Sequence, residues 1–360
     1  MSWTSGSAKP TVSRMTDLDL TRRGFLTGTA ALVGAGALAC QPTGSPAVPR
    51  VAGPPPALVV LWLNGGPAGL FNSARSFLAS GAFGVTADNV RDVGNDLLVD
   101  RDSLGALPPI ALAHMASINF HHGVVRPHDH ARAAVLEQDG HSQLLRMAAA
   151  MPASGTTRCA IVNDLGLPKG VSAGPPAESG ASLEFVMGFD DVKHPLEAAR
   201  AAYGTPAGDW IRDASGTFAA IEGLVLAGTS VIFAQPAYTG QPDRQFDTHR
   251  DTSGAAARAV MAPITPLLST FLSRMFALPR NVVTVLVGEF SRTSAESDHE
   301  PGGTATVIGP NVLTGTAGPQ RTDGSPPPNA PPADALWRYV AAALGIAAKD
   351  NPNPELIRAS

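Results

Sequence analysis

Residues 281–303 read NVVTVLVGEFSRTSAESDHEPGG, and this stretch decides the fold class. Its first part, VVTVLV, is an unbroken apolar run rich in β-branched residues, which is typical of a strand buried on both faces of a parallel sheet. A polar loop with acids, an arginine, hydroxyls and an Asp-His pair follows at once. Charged residues make up 16% of the chain, well below the usual share of about a quarter. Their concentration at this strand end therefore indicates a site.

Further strands and helices are predicted on both sides of this stretch. The predicted strands are ALVVLWL (57–63), ASINF (116–120), CAIV (159–162), TSVIFA (229–234) and VVTVLV (282–287). Helical patterns cover residues 130–151, 196–203, 217–227, 255–276 and 333–344, and Pro/Gly-rich loops cover 166–180 and 315–332. Alternating strands and helices predict an α/β fold with a mostly parallel sheet between helices. We expect one domain over 57–350 and a tail over 351–360.

The N-terminal segment matches an export signal. Arg22 and Arg23 precede the weakly apolar run GTAALVGAGALAC, as in twin-arginine signal peptides. This predicts a signal peptide over 1–39, the Tat translocase as a partner during export, and a periplasmic or cell-envelope location. Residues 40–56 are rich in Pro, Gly and Ser and are interpreted as a spacer.

Cys40 at the end of the apolar run has two interpretations. The preceding Ala37-Leu38-Ala39 fits plain signal cleavage, and it loosely fits a lipoprotein box whose cysteine is acylated. In the second case, one lipid would anchor the protein to a membrane surface without spanning it.

The net charge of the chain argues against one class of partner. A formal charge of −4 provides no broad basic surface for phosphate backbones. Nucleic acid is therefore excluded as a partner.

Two Asp/His pairs follow predicted strands, at the sheet edge where ligands bind in open parallel sheets. Asp247 and His249 come after the strand at 229–234, and Asp298 and His299 come after Val282–Val287. Carboxylate oxygen and imidazole nitrogen suit zinc or a similar divalent ion. The alternative is a solvated polar loop with incidental salt bridges.

Other polar residues near these strand ends are open to more than one interpretation. Glu289 and Arg292 either support metal ligands from behind, or Arg292 clamps an anionic substrate group. Six of the nine histidines lie between His114 and His141. Five residues after the predicted strand at 116–120 are candidate metal ligands or proton relays, or they only cap the next helix. They are His121, His122, His128, Asp129 and His130. The glycines of Asn64-Gly65-Gly66 form a tight turn or let the backbone approach an anion.

Taken in order, these motifs resemble a known bacterial family. They are Gly65-Gly66-Pro67, Phe246-Asp247-Thr248-His249, the block Gly288-Glu289-Phe290-Ser291-Arg292-Thr293, and Asp298-His299. The resemblance is to domain of unknown function 1501, whose members carry twin-arginine signals and are distantly similar to alkaline phosphatases and sulfatases. It covers residues 58–345, nearly the whole predicted mature chain.

The resemblance implies an alkaline-phosphatase-like three-layer α/β sandwich that hydrolyses phosphate or sulfate esters with one or two divalent ions. It implies Asp247, His249, Asp298 and His299 as metal ligands. It also implies the block Glu289, Arg292 and Thr293 between these pairs. Asn64, His121 and His122 are further residues that we expect to support the site. Zinc is the expected metal, with manganese, calcium or magnesium as alternatives.

The chain departs from the family pattern at two positions. Ala68 stands where the family often has an aspartate, which leaves the ligand set incomplete unless Asn64 or Asn72 substitutes. Asp129-His130 stands where the family commonly has Ser-His, so no hydroxyl nucleophile is evident.

Two functions follow from these observations. In the first, the exported protein hydrolyses an anionic small-molecule or polymer ester with metal-activated water. Arg292 would neutralise transition-state charge and His128 or His130, next to Asp129, would donate a proton. In the second, the chain is a degenerate, metal-free scaffold or binding lipoprotein of the cell envelope.

Overall fold

The computed structural model describes residues 54–152, 155, 157–162, 183–192, 194–236, 245–346 and 350–358, all within the unit Val51–Ser360. The predicted export signal, Cys40 and the loop predicted at 166–180 lie outside the described residues.

The strands and helices are as follows in chain order. The strands are β1 Ala57–Trp62, β2 Val90–Gly94, β3 Leu97–Asp100, β4 Met115–His121, β5 Glu137–Gln138, β6 His141–Ser142, β7 Cys159–Val162, β8 Leu183–Val186, β9 Val231–Ala234, β10 Val282–Val287, β11 Ser291–Arg292, β12 His299–Glu300, β13 Gly302–Ile308 and β14 Gly315–Ala317. The helices are α1 Arg75–Leu78, α2 Pro109–Leu112, α3 His128–Leu136, α4 Gln143–Ala150, α5 Glu197–Tyr203, α6 Ala214–Leu226, α7 Ala255–Met261, α8 Ile264–Phe276 and α9 Ala333–Leu344.

Within the described residues, eight strands form the main sheet in the order β14-β4-β13-β10-β1-β9-β7-β8. β1 pairs in parallel with both β10 and β9, and β7 pairs in parallel with both β9 and β8. β13 is antiparallel to β10 and to β4, and β14 is parallel to β4. Only β13 therefore runs against the other seven strands of this sheet.

Both faces of the sheet are covered by helices. Alternate residues of β1 point to opposite faces, so that Val59 and Leu61 join one apolar core and Val60 and Trp62 join the other. Helices α6, α7 and α8 contribute to the first core, and α3, α4 and α9 contribute to the second. These three layers confirm the predicted α/β sandwich with a mostly parallel sheet.

The helix predicted over residues 130–151 is wrong in its middle. Helices α3 and α4 occupy its two ends, and the short strands β5 and β6 pair between them. Asp139 and Gly140 form the turn, with φ values of 53° and 75°. An Asp-Gly pair in this left-handed conformation favours a two-residue hairpin.

The helix predicted over residues 255–276 is likewise divided. Pro263 separates α7 from α8, and the two axes differ by 45°. Proline lacks a backbone N–H and clashes with the preceding turn, which explains the break. No single helix among the described residues is long and apolar enough to cross a membrane, although α7 and α8 pass that test as a bent pair.

β13 was not predicted as a strand. Its sequence GGTATVI begins with two glycines, which weaken the strand pattern. Because it is antiparallel, β13 starts at the edge where its neighbours end, with Gly302 opposite His121 of β4. The loop that precedes β13 is thereby brought to that edge.

Candidate functional site

Loops from several strands meet at one edge of the sheet. Trp62 of β1 lies opposite Val287 of β10, and Leu61 lies opposite Ala234 of β9. The carboxyl ends of β1, β4, β9 and β10 and the start of β13 therefore share this edge. The polar residues predicted after each strand come together there.

The Asp247 carboxylate is at the centre of the cluster. Its Oδ1 lies 3.1 Å from Nε2 of His299 and 3.2 Å from Nε2 of His249, and its Oδ2 lies 3.5 Å from Nε2 of His128. Burial acts to raise the pKa of Asp247, but hydrogen bonds from His299 and Arg292 hold the pKa well below its ordinary value. Asp247 is therefore a carboxylate that faces three imidazoles.

His128 is held in a defined orientation. Its Nδ1 lies 2.9 Å from Oε1 of Glu289, and its ring packs edge-on against Phe290 and His299. When Nδ1–H donates to Glu289, the lone pair of Nε2 faces Asp247. Metal-binding histidines commonly have such a carboxylate behind them, which fixes the tautomer.

Glu289 is fully buried behind this imidazole. Its Oε1 accepts a hydrogen bond from the Gly65 backbone N–H at 2.9 Å and lies 3.4 Å from Nε of Arg132. The turn at Gly65-Gly66 therefore does lie close to an anion, as one interpretation expected. That anion is the Glu289 carboxylate of the protein itself. This geometry matches the interpretation of Glu289 as a support for metal ligands.

Arg292 is also fully buried, and its partners are internal. Its Nε donates to the Gly66 carbonyl at 3.1 Å and its Nη1 to the Ser297 carbonyl at 3.1 Å. Its Nη2 donates to Oδ1 of Asp247 at 2.6 Å and also to backbone carbonyls, including that of Gly65. A guanidinium enclosed in this way does not reach a substrate in solvent. The structure therefore favours the supporting role of Arg292 over the predicted clamp and transition-state roles.

Asp298 extends the cluster toward solvent. Its Oδ1 lies 3.5 Å from Nδ1 of His249, and its Oδ2 lies 3.4 Å from the exposed Arg126. The backbone N–H of His299 donates to Asp298 and lowers the pKa of that carboxyl. Thr293 accepts a hydrogen bond from the Asp298 backbone through Oγ1 at 3.0 Å. Thr293 therefore positions the loop.

The ring of His299 is fixed by stacking. Phe290 lies parallel to it, with a centroid distance of 4.1 Å and an interplanar angle of 10°. Nδ1 of His299 is buried and has no hydrogen-bond partner among the described residues. The ring thus presents Nε2 to the cluster.

The remaining members of the predicted histidine cluster lie around this centre. Nε2 of His122 donates to the Glu289 carbonyl at 2.7 Å, while its Nδ1 accepts from the Val124 N–H. Burial lowers the pKa of His122 to about 4, so its ring is neutral at pH 7. His121 ends β4, and its backbone N–H bonds to Pro331.

Asp129 and His130 do not join the cluster. Both are exposed in the first turn of α3. His130 forms no side-chain hydrogen bond or ion pair with the described residues, so its predicted role as proton donor lacks a structural basis. His128, the other predicted proton donor, is held among the ligand-type side chains.

Neither asparagine takes the place of a missing ligand. Asn64 accepts a hydrogen bond from Arg132 and donates one to Gln245 at 2.6 Å. Asn72 is buried and bonds to Thr304 and Thr306 of β13. Ala68 is also buried and lines a small, mostly apolar space with Leu63, Pro67 and Phe71, among others. None of the clustered side chains lines this space.

The donor set fits a divalent cation. Two groups of side chains, His128 with Asp247 and His299, and His249 with Asp298 and His299, have potential ligand atoms within 4.8 Å of one another. Bonds of about 2.0–2.1 Å to a tetrahedral zinc ion place two ligand atoms about 3.3 Å apart. The separations of 3.1 and 3.2 Å around Asp247 Oδ1 are close to this value. Imidazole with carboxylate suits zinc or a similar divalent ion.

An open cleft of about 540 Å³ adjoins these side chains. It is lined by His249, Arg250, Thr252, Ala295, Glu296 and Asp298. The cleft shares two residues with the second ligand group, so a molecule bound in it lies beside the candidate metal centre.

Arg126, Arg132 and Arg250 were missed by sequence reasoning. Arg132 lies four residues after His128 in α3, and this spacing places both side chains on one helix face. That spacing could have indicated from the sequence that Arg132 lies near the site. Arg126 and Arg250 lie in loops without a recognisable motif.

Comparison with known proteins gave structural likeness only. No family model matches the chain, and no curated protein matches it. It is similar to the lipoteichoic acid synthase LtaP from Listeria monocytogenes, with 12% identity, a TM-score of 0.40, and coverage of 82% of this chain and 73% of the other. It is also similar to the periplasmic domain of EcEptC from Escherichia coli, solved with Zn, with 8% identity, a TM-score of 0.38, and coverage of 72% and 74%. The phosphonate monoester hydrolase SpPMH from Silicibacter pomeroyi shows 12% identity, a TM-score of 0.36, and coverage of 84% and 76%. Likeness at this level carries no argument about activity, and membership of the exported family stays a prediction.

Proposed function

We propose that this protein is an exported, divalent-metal-dependent hydrolase of phosphate or sulfate esters. The convergence of three imidazoles from separate parts of the chain on the Asp247 carboxylate carries the proposal. The motif resemblance supplies the ester class, and the geometry supplies a place for the ion. The predicted pairs, Asp247 with His249 and Asp298 with His299, share one edge of the sheet, as the hypothesis requires.

The bound ion would polarise the ester oxygens and activate water for attack. His128, His249, His299, Asp247 and Asp298 would hold it. Glu289 fixes the tautomer of His128, and Arg292 holds Asp247 in place from the buried side. Phe290 prevents the His299 ring from turning.

Water is the proposed nucleophile. No serine or threonine hydroxyl within the described part of the chain bonds to Asp247 or to the three imidazoles. The water oxygen bonds to phosphorus or sulfur as the bond to the alcohol oxygen breaks. One water proton ends on the released alcohol, so the products are an alcohol and inorganic phosphate or sulfate.

The test combines metal analysis with hydrolysis of aryl phosphates and aryl sulfates. Purified protein is assayed with zinc, manganese, calcium or magnesium, with and without a chelator. We expect hydrolysis that the chelator abolishes and that His299→Ala lowers by at least about a hundredfold, since one ligand is lost. The matched control is His194→Ala, because His194 lines a different cleft and its Nδ1 bonds to the Pro195 carbonyl. Full metal occupancy in both His299→Ala and Asp247→Ala would remove the basis of the proposal.

One observation favours the alternative of a metal-free scaffold. Each carboxylate of the site already has a neighbouring arginine: Arg292 for Asp247, Arg126 for Asp298 and Arg132 for Glu289. The charges therefore balance without an ion. Folded protein that neither binds a divalent ion nor hydrolyses any ester would support this alternative.

Export and anchoring complete the proposal. The twin-arginine pair and Cys40 lie outside the described residues, so this part rests on the sequence. Replacing Arg22 and Arg23 by lysine should leave the protein inside the cell. Cys40→Ala should abolish labelling by a radioactive fatty acid if the cysteine is acylated, whereas plain cleavage predicts no labelling of the unaltered protein.

A further inference from the structure

The cleft beside the candidate metal centre has an unusual lining. Ligand sites for drug-sized molecules are mostly apolar and aromatic, with a few polar groups. Here Ala295 is the only apolar side chain, and the other five lining residues are charged, imidazole or hydroxyl groups. These five side chains offer hydrogen-bond donors and acceptors to an occupant. The cleft therefore favours a hydrophilic occupant.

Arg250 supplies a cation among the residues that line the cleft. It is exposed, directly follows His249 in the chain, and forms no side-chain hydrogen bond or ion pair with the described residues. Its φ of 66° is uncommon for a residue other than glycine, and such outliers concentrate at functional sites. Its guanidinium is thus available to anionic ester oxygens, a role that the buried Arg292 does not fill.

Glu296 supplies a hydrogen-bond acceptor in the same cleft. Its side chain is exposed and has no ion-pair partner within the described ranges. The Arg250 backbone N–H donates to the Glu296 carbonyl at 2.8 Å. This bond ties together the two loops that carry the cation and the acceptor.

We propose that this cleft binds the alcohol half of the ester, and that this half is a small group rich in hydrogen-bond donors, a polyol or an amino alcohol. Glu296 accepts hydrogen bonds from its hydroxyl or ammonium groups, while Arg250 binds the phosphate or sulfate oxygens. The inference rests on the proposed hydrolase function. It adds a substrate class that neither the metal ligands nor the motif resemblance defines.

Aliphatic and aromatic leaving groups are disfavoured for the same reason. An unsubstituted alkyl chain would displace water from Glu296 without replacing its hydrogen bonds, which costs binding free energy. An aryl group would find no Phe, Tyr, Trp or large aliphatic side chain among the six lining residues. Aryl esters therefore report the chemistry of the site but not its specificity.

The experiment compares esters that differ only in donor groups. The metal-loaded full chain is assayed with glycerol 1-phosphate against propyl phosphate, and with O-phosphoethanolamine against ethyl phosphate. We expect kcat/KM to be about tenfold higher or more for at least one donor-bearing ester, since a hydrogen bond to a charged group is worth about that factor. Preference for glycerol identifies a polyol, and preference for ethanolamine identifies an ammonium group.

Substitutions of two cleft residues test whether the preference for donor-bearing esters arises in the cleft. Glu296→Ala should reduce the ratio within each preferred pair to near one, mainly through KM. Arg250→Ala should raise KM for both members of a pair alike, and Arg250→Lys should restore part of the loss. The control is Glu197→Gln, because Glu197 is exposed and lines a different cleft.

The outcomes separate this inference from the function on which it rests. Turnover with ratios near one, or with a preference that Glu296→Ala leaves intact, overturns the inference and keeps the hydrolase. If no ester is hydrolysed, the hydrolase proposal fails. Calorimetric titration of metal-loaded protein with the same ester pairs then decides the cleft's preference, and equal affinities within both pairs overturn it.

Discussion

Nδ1 of His128 lies 2.9 Å from Oε1 of Glu289, although the two residues are 161 positions apart in the chain. The contact joins the first residue of α3 to the loop after β10. It directs Nε2 of His128 toward Asp247, and it does so with a carboxylate that no solvent reaches. The orientation of one candidate ligand therefore depends on a residue from another strand.

Glu289→Gln should weaken metal binding. Glutamine removes the negative charge that strengthens the hydrogen bond from Nδ1–H of His128. Its NH2 group would also lie where Oε2 of Glu289 is buried without a hydrogen-bond partner among the described residues. Loss of such an outer partner typically lowers metal affinity by about 10- to 100-fold. The dissociation constant is measured by competition with a chromophoric chelator, with Glu197→Gln as the control. Unchanged affinity in a folded Glu289→Gln protein would contradict the orienting role.

Arg292→Met should destabilise the protein even without metal. The substitution removes hydrogen bonds from the Gly66, Phe246 and Ser297 carbonyls, among others, and separates Asp247 from its buried cation. Breaking one side of a buried pair typically costs about 3–5 kcal/mol. Urea unfolding of metal-free protein measures the change.

The matched control is Arg321→Met, because Arg321 and Asp323 form an exposed pair. Such pairs contribute about 0–1 kcal/mol. If Arg292→Met keeps full stability and loses only kcat, the transition-state role expected from sequence is restored.

The sequence was sufficient for the elements whose patterns are local. The structure has strand β10 at Val282–Val287 and helix α9 at Ala333–Leu344, with the predicted bounds. Both are apolar runs of uniform periodicity, bounded by proline, glycine or polar residues. The edge where Asp247 and Asp298 meet also follows from sequence, because parallel strands end on the same side.

The sequence was not sufficient for features that depend on contacts between residues far apart in the chain. The antiparallel direction of β13 depends on its pairing with β4 and β10, which no local pattern encodes. The enclosure of Arg292 depends on carbonyls more than 200 positions away, at Gly65 and Gly66. An arginine in a polar loop therefore looked available to substrate when the fold had buried it.

The folded protein should become less stable as pH falls, because of His122. Its pKa is lowered from the ordinary 6.5 to about 4 by burial, so the unfolded chain binds a proton more readily than the folded one. Stability from the neutral ring is present above pH 6.5 and is lost as pH falls toward 4. The loss at pH 4.5 amounts to about 2.5 kcal/mol relative to pH 7.5.

The measurement is urea unfolding of metal-free protein between pH 7.5 and 4.5. His122→Gln lacks the titrating ring, so its stability should fall less steeply than that of the unaltered protein. Parallel pH dependences in the two proteins would show that His122 charges as easily in the folded state as in the unfolded state.

Gly65→Ala and Gly140→Ala form a matched pair that tests the close approach of the Gly-Gly turn. Both glycines have positive φ, 95° and 75°. A Cβ at Gly65 would lie 2.3 Å from the Asp247 backbone nitrogen, whereas a Cβ at Gly140 would meet no atom within 4 Å. Backbone strain is common to both substitutions, and only Gly65→Ala also displaces Asp247.

Gly140→Ala should therefore cost about 1 kcal/mol, the strain of a left-handed alanine. Gly65→Ala should cost at least about 2 kcal/mol more, because overlap in a packed region adds to that strain. It should also weaken metal binding, since the Gly65 N–H donates to Glu289 and the Gly65 carbonyl accepts from Arg292. Urea unfolding and chelator competition measure both effects. Equal losses of stability with equal metal affinity would mean that the turn does not position the carboxylates.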